Sequence, residues 1–238
     1  MAVGIRSRTF ARWLAPVVAL LVVFQLTACG DKEPEQRKAF IDYLQNTVMR
    51  SGQNLPTLSE DQRQKFGNYA NDYTIILNFS RQLKQSINEG LAPAVNTIAQ
   101  IHVPQDYLQQ KGALQQAAGS LNSVTQQIQT AKATADTAQA ALKQPDDLKA
   151  VYSKVYAQDV TQPANALLPV VPALAGFTQD IAAVGDFLSQ QGTQVAFANG
   201  SVQLPTQQQV AQYNALMTGL LGKQQSLVDA QKIIAGNF

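Results

Sequence analysis

From Gln105 to Leu142 the chain repeats apolar residues every seven positions: Tyr107, Leu114, Leu121, Ile128, Ala135 and Leu142. Ala117, Val124, Ala131 and Ala138 follow most of them by three. This spacing is the a/d seam of supercoiled helices. A straight helix drifts about 20° per heptad against such a repeat, so the seam stays buried only by winding around a neighbour. The many alanines imply that the neighbour comes close. The chain carries further long apolar helices of its own, so an internal bundle seam is expected rather than a homodimeric coiled coil.

Between Gly112 and Leu142 the only charges are Lys132 and Asp136, in a chain with 33 glutamines. A Gln-rich tract can signal disorder. Here the apolar periodicity argues for a folded helix with a neutral, amide-rich outer face.

The other segments also read as helix. Pro34 suits a first turn, and Phe40, Ile41, Leu44 and Val48 recur at helical spacing up to Gly52. Ser59 and Gln62 make a capping-box pattern ahead of an apolar stripe from Phe66 through Tyr69, Tyr73, Ile76, Leu77, Leu83 and Ile87 to Gly90. That stripe predicts one helix of about six turns. Pro93 opens a short helix with Val95, Ile98 and Ile101, ended by His102, Val103 and Pro104. Asp146 and Asp147 favour another start, continued by Leu148, Val151, Val155 and Tyr156.

No charge lies between Asp159 and Asp180, and Leu167, Val171, Leu174, Phe177, Ile181, Val184 and Leu188 make this the greasiest stretch after the amino terminus. Pro163, Pro169 and Pro172 argue against a membrane span, so a kinked central core helix is expected. Val195, Phe197, Val202 and Leu204 alternate around Asn199 and Gly200, a hairpin signal near residues 194–204. A lone hairpin is marginal in water and should pack on the bundle. Thr206 and Gln209 then cap a last long helix with Val210, Tyr213, Met217, Leu220, Leu221, Leu227, Val228 and Ile234. The expected fold is mainly α: an elongated antiparallel helical bundle with one short β-hairpin.

The amino terminus is different in kind. Arg6, Arg8 and Arg12 precede an apolar run from Trp13 to Phe24, interrupted only by Pro16. Twelve residues at about 1.5 Å each cover about 18 Å of a hydrocarbon core about 30 Å thick, which suits a signal peptide better than a span. The run ends in Leu26, Thr27, Ala28 and Cys29, which resembles the lipobox of bacterial lipoproteins. That resemblance implies cleavage between Ala28 and Cys29, with lipid on the cysteine. It divides the chain into a signal peptide (1–28), a lipidated tether (29–34) and a single helical-bundle domain (35–238). One acyl chain anchors only marginally, so two or more are needed. The alternative is a buried cysteine at the end of an uncleaved membrane helix. In the enterobacterial sorting rule, Asp directly after the cysteine retains a lipoprotein in the inner membrane. Gly30 holds that position and Asp31 follows it, so a periplasm-facing anchor in the outer membrane is favoured over the inner.

Loss of Arg6, Arg8 and Arg12 leaves fewer basic residues than the 16 acidic ones, so nothing in the charge points to nucleic acid. Cys29 is the sole cysteine, which excludes an intramolecular disulfide. The sole histidine, His102, reads as a helix-end residue rather than a metal ligand or triad member, and no G-x-S-x-G elbow is present. The run from Gly219 to Lys223 superficially resembles a phosphate loop, but Met217 and Gln224 stand where glycine and Ser or Thr belong. Its small residues suggest close helix packing. Asp146 and Asp147 point about 100° apart on a helix, which suits capping rather than acid–base work. Tyr69 and Tyr73 could line a sugar or peptide pocket, but partly buried core tyrosines are the simpler reading.

The Cys29 to Glu33 start, the stretch from Gln36 through Lys38-Ala39-Phe40-Ile41-Asp42-Tyr43-Leu44-Gln45, and Leu55-Pro56-Thr57-Leu58 before Phe66 resemble the YiaF-type lipoproteins of enterobacteria. The resemblance runs over most of the chain after the signal. It implies an envelope lipoprotein and carries over no activity and no catalytic residue. The expected function is therefore a non-catalytic, membrane-tethered scaffold that binds another envelope protein, without cofactor or metal. The alternative is a carrier whose charge-poor helix lines a cavity for lipid or another apolar ligand. An enzyme comes third.

Overall fold

Pro34, with no amide hydrogen to leave unpaired, sits in the first turn of helix α1 (Glu33–Asn46) of the computed structural model, which describes residues 32–236. Phe40, Tyr43 and Leu44 form its buried face, and a 3-10 turn (Val48–Arg50) leads to Gly52, where φ is +58°. Ser59 and Gln62 make the anticipated capping box for α2 (Glu60–Phe66). The Ser59 hydroxyl accepts from the Gln62 amide at 3.2 Å, and the Gln62 side chain accepts from the Ser59 amide at 2.9 Å.

The single six-turn helix expected from Ser59 to Gly90 is not formed. Gly67 takes φ +57°, and a new helix, α3 (Tyr69–Ser86), begins beyond it. That positive φ favours glycine, and the Gln36 side chain of α1 lies against it, 2.3 Å from where a Cβ would stand. Gly90 does not end α3 either. A π turn (Ile87–Leu91) carries the path directly into α4 (Ala92–Ile98). Pro93 has no amide hydrogen, and its ring crowds the carbonyl four residues back. Widening the turn, with the Ala92 amide donating to the Ile87 carbonyl, accommodates both.

Helix α5 (Asp106–Gln109) precedes the seam helix α6 (Lys111–Ala140). Leu114, Ala117, Leu121, Val124, Ile128, Ala131 and Ala135 are all buried, as the heptads require. The seam is shorter than the repeat, because Tyr107 belongs to α5 and Leu142 lies beyond the end of α6. After α7 (Asp146–Tyr156), a second π turn (Ala157–Thr161) leads into α8 (Gln162–Gln191), so the path from Asp146 to Gln191 is continuously helical.

Helix α8 is the partner of the seam, and it runs antiparallel to α6. Gly185 meets the Tyr107 carbonyl and Lys111 at one end, and Tyr156, just before the π turn, donates to Asp136 at 2.7 Å at the other. By length and composition the α7–α8 path could cross a membrane, yet half of its most apolar window is buried inside the bundle. Leu167, Val171, Leu174 and Val184 are fully buried despite Pro169 and Pro172 within the helix.

The hairpin forms as read. Strands β1 (Ala196–Ala198) and β2 (Ser201–Gln203) are antiparallel with Phe197 opposite Val202, and Asn199 and Gly200 both take positive φ. Phe197 and Val202 rest half-buried on the core.

The last helix departs from expectation. It is two helices, α9 (Gln207–Leu221) and α10 (Gln225–Ile234), separated at Gly222. Of the apolar residues expected along it, Leu220 is buried, while Val210, Leu221, Val228 and Ile234 are exposed. The break rotates α10 so that Ala230 and Ile233 face inward instead. Gly219 faces open space, so the close packing expected of that small-residue run is absent there.

Candidate functional site

Tyr152, Val155 and Asp159 lie three and four residues apart, so an acid occupies a position where the apolar stripe of α7 calls for another hydrophobe. The second π turn holds it there. Pro163 follows Asp159 by four, so its ring would strike the Asp159 carbonyl in a regular helix, and the wider turn relieves that contact. The first π turn, produced in the same way ahead of Pro93, lies across from it. Together they border a cavity of about 270 Å³, to which Ile87 comes from the first turn and Gln158 and Asp159 from the second.

The rest of the wall comes from distant parts of the chain. Gly52, Gln53 and Leu55 supply one side, Ser80, Leu83 and Lys84 of α3 another, and Gly236 a third. Most of the polar groups there already have partners. Gln158 donates to the Met49 carbonyl at 3.3 Å, Lys84 to the Asn54 side chain at 3.1 Å, and Gln53 to the Gly236 carbonyl at 2.8 Å. Asp159 is the exception: its Oδ2 is shielded from solvent and has no hydrogen-bond partner. Burial pushes its carboxyl up to about 7, opposed in part by the adjacent Gln158 amide. Such a group titrates at neutral pH and lacks a counter-ion.

The Tyr43 hydroxyl and Gln105 Oε1 are likewise shielded without a partner, whereas several other polar groups are satisfied and read as structural. Tyr73 donates to the Pro56 carbonyl at 2.9 Å, Tyr152 to the Asp72 carbonyl at 2.8 Å, and Gln144 to the Asp72 carboxylate at 2.6 Å. Lys132 pairs with Asp136 at 2.6 Å beside the Tyr156 hydroxyl. A second concavity, of about 470 Å³, lies between α3 and α6. It is lined by polar side chains, among them Gln82, Gln85, Gln126 and Gln127, with Ser86 donating to Gln127 at 3.0 Å.

The residues singled out from sequence fall elsewhere. Ala28, Cys29, Gly30 and Asp31 lie outside the described residues. The exposed His102 is at a helix end, where the Asp106 carboxylate accepts from the His102 and Val103 amides at 2.7 and 2.9 Å. Among the described residues no three His, Cys, Asp or Glu side chains are grouped to hold a metal. Asp146 and Asp147 stand in the first turn of α7, where Asp147 accepts from the Leu148 amide at 2.8 Å and faces Arg37 at 3.4 Å. Tyr73 is fully buried, whereas Tyr69 is half-buried and bonds Glu33. Lys223, in the loop-like glycine run, pairs with Asp180 at 2.5 Å. Sequence reading passed over Asp159. Its signal was the acid on the apolar face followed four residues later by proline.

Comparison with known proteins places the chain within one family. It is 49% identical over 230 residues to "Uncharacterized protein YiaF" of Escherichia coli K12, covering 97% of this chain and 96% of that protein. The YiaF proteins of Escherichia coli O157:H7 and Shigella flexneri match to the same extent. No solved structure matches the chain. The family model described as "Protein of unknown function (DUF3053)" matches residues 17–235, and the chain belongs to that family.

Proposed function

We propose that this protein is a lipoprotein anchored through Cys29, facing the periplasm, and that its bundle is a non-catalytic scaffold for another protein of the cell envelope. The supporting observation is the state of α8. A carrier that held lipid in its core would expose the apolar side chains of this helix to a cavity. Instead Leu167, Val171, Leu174, Val184 and Leu188 are at most 1% exposed, packed against the seam helix. That leaves the surface as the place for recognition. The amide-lined groove between α3 and α6 offers it concavity with paired hydrogen-bond donors and acceptors and little charge. Neutral amides suit a protein surface that must be read without strong ionic attraction.

The test is native mass spectrometry of the full protein extracted from its own envelope in mild detergent. The expected result is a mass starting at Cys29 with acyl groups and a second protein retained, and loss of that protein when Gln85 and Gln126 are both replaced by arginine. An unmodified Cys29 with the first 28 residues still present would refute the anchor. A bound noncovalent lipid with no protein would refute the scaffold.

A further inference from the structure

We propose that the cavity bordered by the two π turns binds a small organic cation, a primary ammonium on a compact apolar body, with the Asp159 carboxylate as its counter-ion. The proposal does not depend on the scaffold reading.

Three observations converge on it. Asp159 stands half-buried in the cavity wall, with one carboxyl oxygen shielded from solvent and cavity alike, which leaves the other to meet a ligand. A carboxylate partly withdrawn from water with no basic side chain paired to it is costly, and a cation in the cavity would offset that cost. Next, among the described residues no basic side chain is paired with it. Lys84 is the one basic residue in the wall, and its ammonium is engaged by Asn54 at 3.1 Å. Last, the walls beside Asp159 are made by Leu55, Leu83, Ile87 and Pro163, which suit a hydrocarbon body and not a hydrated metal ion. A volume of about 270 Å³ accommodates a ligand of this kind and excludes a whole lipid. Both π turns contribute to the wall, which fits the tendency of such turns to occur at functional sites.

The titratable groups around Asp159 set how binding responds to pH. Lys84 shares the cavity, and Tyr73, with Tyr43 behind it, is near enough to interact with the Asp159 charge. Burial raises both phenols above their ordinary value, so they remain neutral across the physiological range. Asp159 is then the group whose ionisation near neutrality creates the site. Affinity for the ammonium should rise between about pH 6 and about pH 8.

The experiment is isothermal titration calorimetry of the full-length protein in mild detergent, with cyclohexylammonium chloride as probe and cyclohexanol as its neutral counterpart. A charge-assisted hydrogen bond predicts that cyclohexylammonium binds about tenfold to hundredfold more tightly than cyclohexanol. Asp159→Asn should remove that preference together with the pH dependence, while Asp180→Asn, on a surface carboxylate paired with Lys223, should leave both intact. Ser80→Leu, which fills the cavity and keeps the carboxyl, should also weaken binding, so the site remains testable if Asp159→Asn loses helical content. Equal binding of the two probes, equal binding by wild type and Asp159→Asn when both are folded, or no saturable binding of cyclohexylammonium overturns the proposal.

Discussion

Replacing Gly185 by alanine tests the close approach of α8 to α5 and the start of α6. A Cβ built there lies 2.3 Å from the Tyr107 carbonyl oxygen, 3.2 Å from its carbon and 3.3 Å from Lys111 Cβ. The first two partners are backbone, so relief requires α5 and the start of α6 to move away from α8 by about 1 Å. Forced overpacking of this kind costs about 1–3 kcal/mol. Against it stands the gain of about 1 kcal/mol from replacing glycine by alanine inside a helix.

The expected net loss is about 0–2 kcal/mol, or a fall in Tm of up to about 8 °C at this chain length. Gly119, inside α6 with nothing within 4 Å of its built Cβ, is the matched control. There only the helix gain remains, and Gly119→Ala should stabilise by about 0.5–1 kcal/mol. Urea unfolding followed by far-UV circular dichroism measures both variants. If Gly185→Ala proves as stable as Gly119→Ala, the close approach of α8 to Tyr107 is wrong, and with it the antiparallel pairing at that end.

Two further substitutions probe the core and the buried acid. Leu121 is fully buried in the middle of the seam, so Leu121→Ala should cost about 2–5 kcal/mol in the same unfolding assay, and a loss under about 1 kcal/mol would mean that the heptad face is not the core. Asp159 holds its proton up to about 7 in the folded chain but releases it near 3.8 in the unfolded one. Below the lower value both states are protonated and the residue costs nothing. As pH rises through that window only the unfolded state gains by ionising, and the loss of stability is complete once pH exceeds the folded value. Asp159→Asn should therefore stabilise more at about pH 8 than at about pH 5, and a gain that does not change with pH would show that the carboxyl is not perturbed.

Much of the fold was legible from local pattern. The seam from Leu114 to Ala135, the capping boxes at Ser59 and Thr206, and the turn at Asn199 and Gly200 all appear where sequence places them. Each depends on residues a few positions apart. The misreadings share another cause. Gly67 looked like one residue inside a continuous stripe, but it faces Gln36 of α1, a neighbour no local window contains. Gly90 looked like a stop, whereas a Cβ there would lie 2.2 Å from Val124 of the seam, so its role is close packing in a helix that continues. The apolar residues of α9 and α10 matched a helical period, yet the turn at Gly222 puts much of that stripe in solvent.

The sequence by itself determined that this chain is helical, where its seam lies, and that its hairpin turns at Asn199-Gly200. These are properties of short segments, set by periodicity, by capping hydrogen bonds and by which residues tolerate positive φ. Tertiary structure alone decided that α6 pairs with α8, that Gly185 lies tight against Tyr107, and that Asp159 stands in a cavity wall with one carboxyl oxygen unpaired. A cavity exists only where separate segments fail to fill the space between them. The wall around Asp159 is drawn from residues 52–55, 80–87, 158–163 and Gly236, whose meeting depends on the packing of the whole bundle.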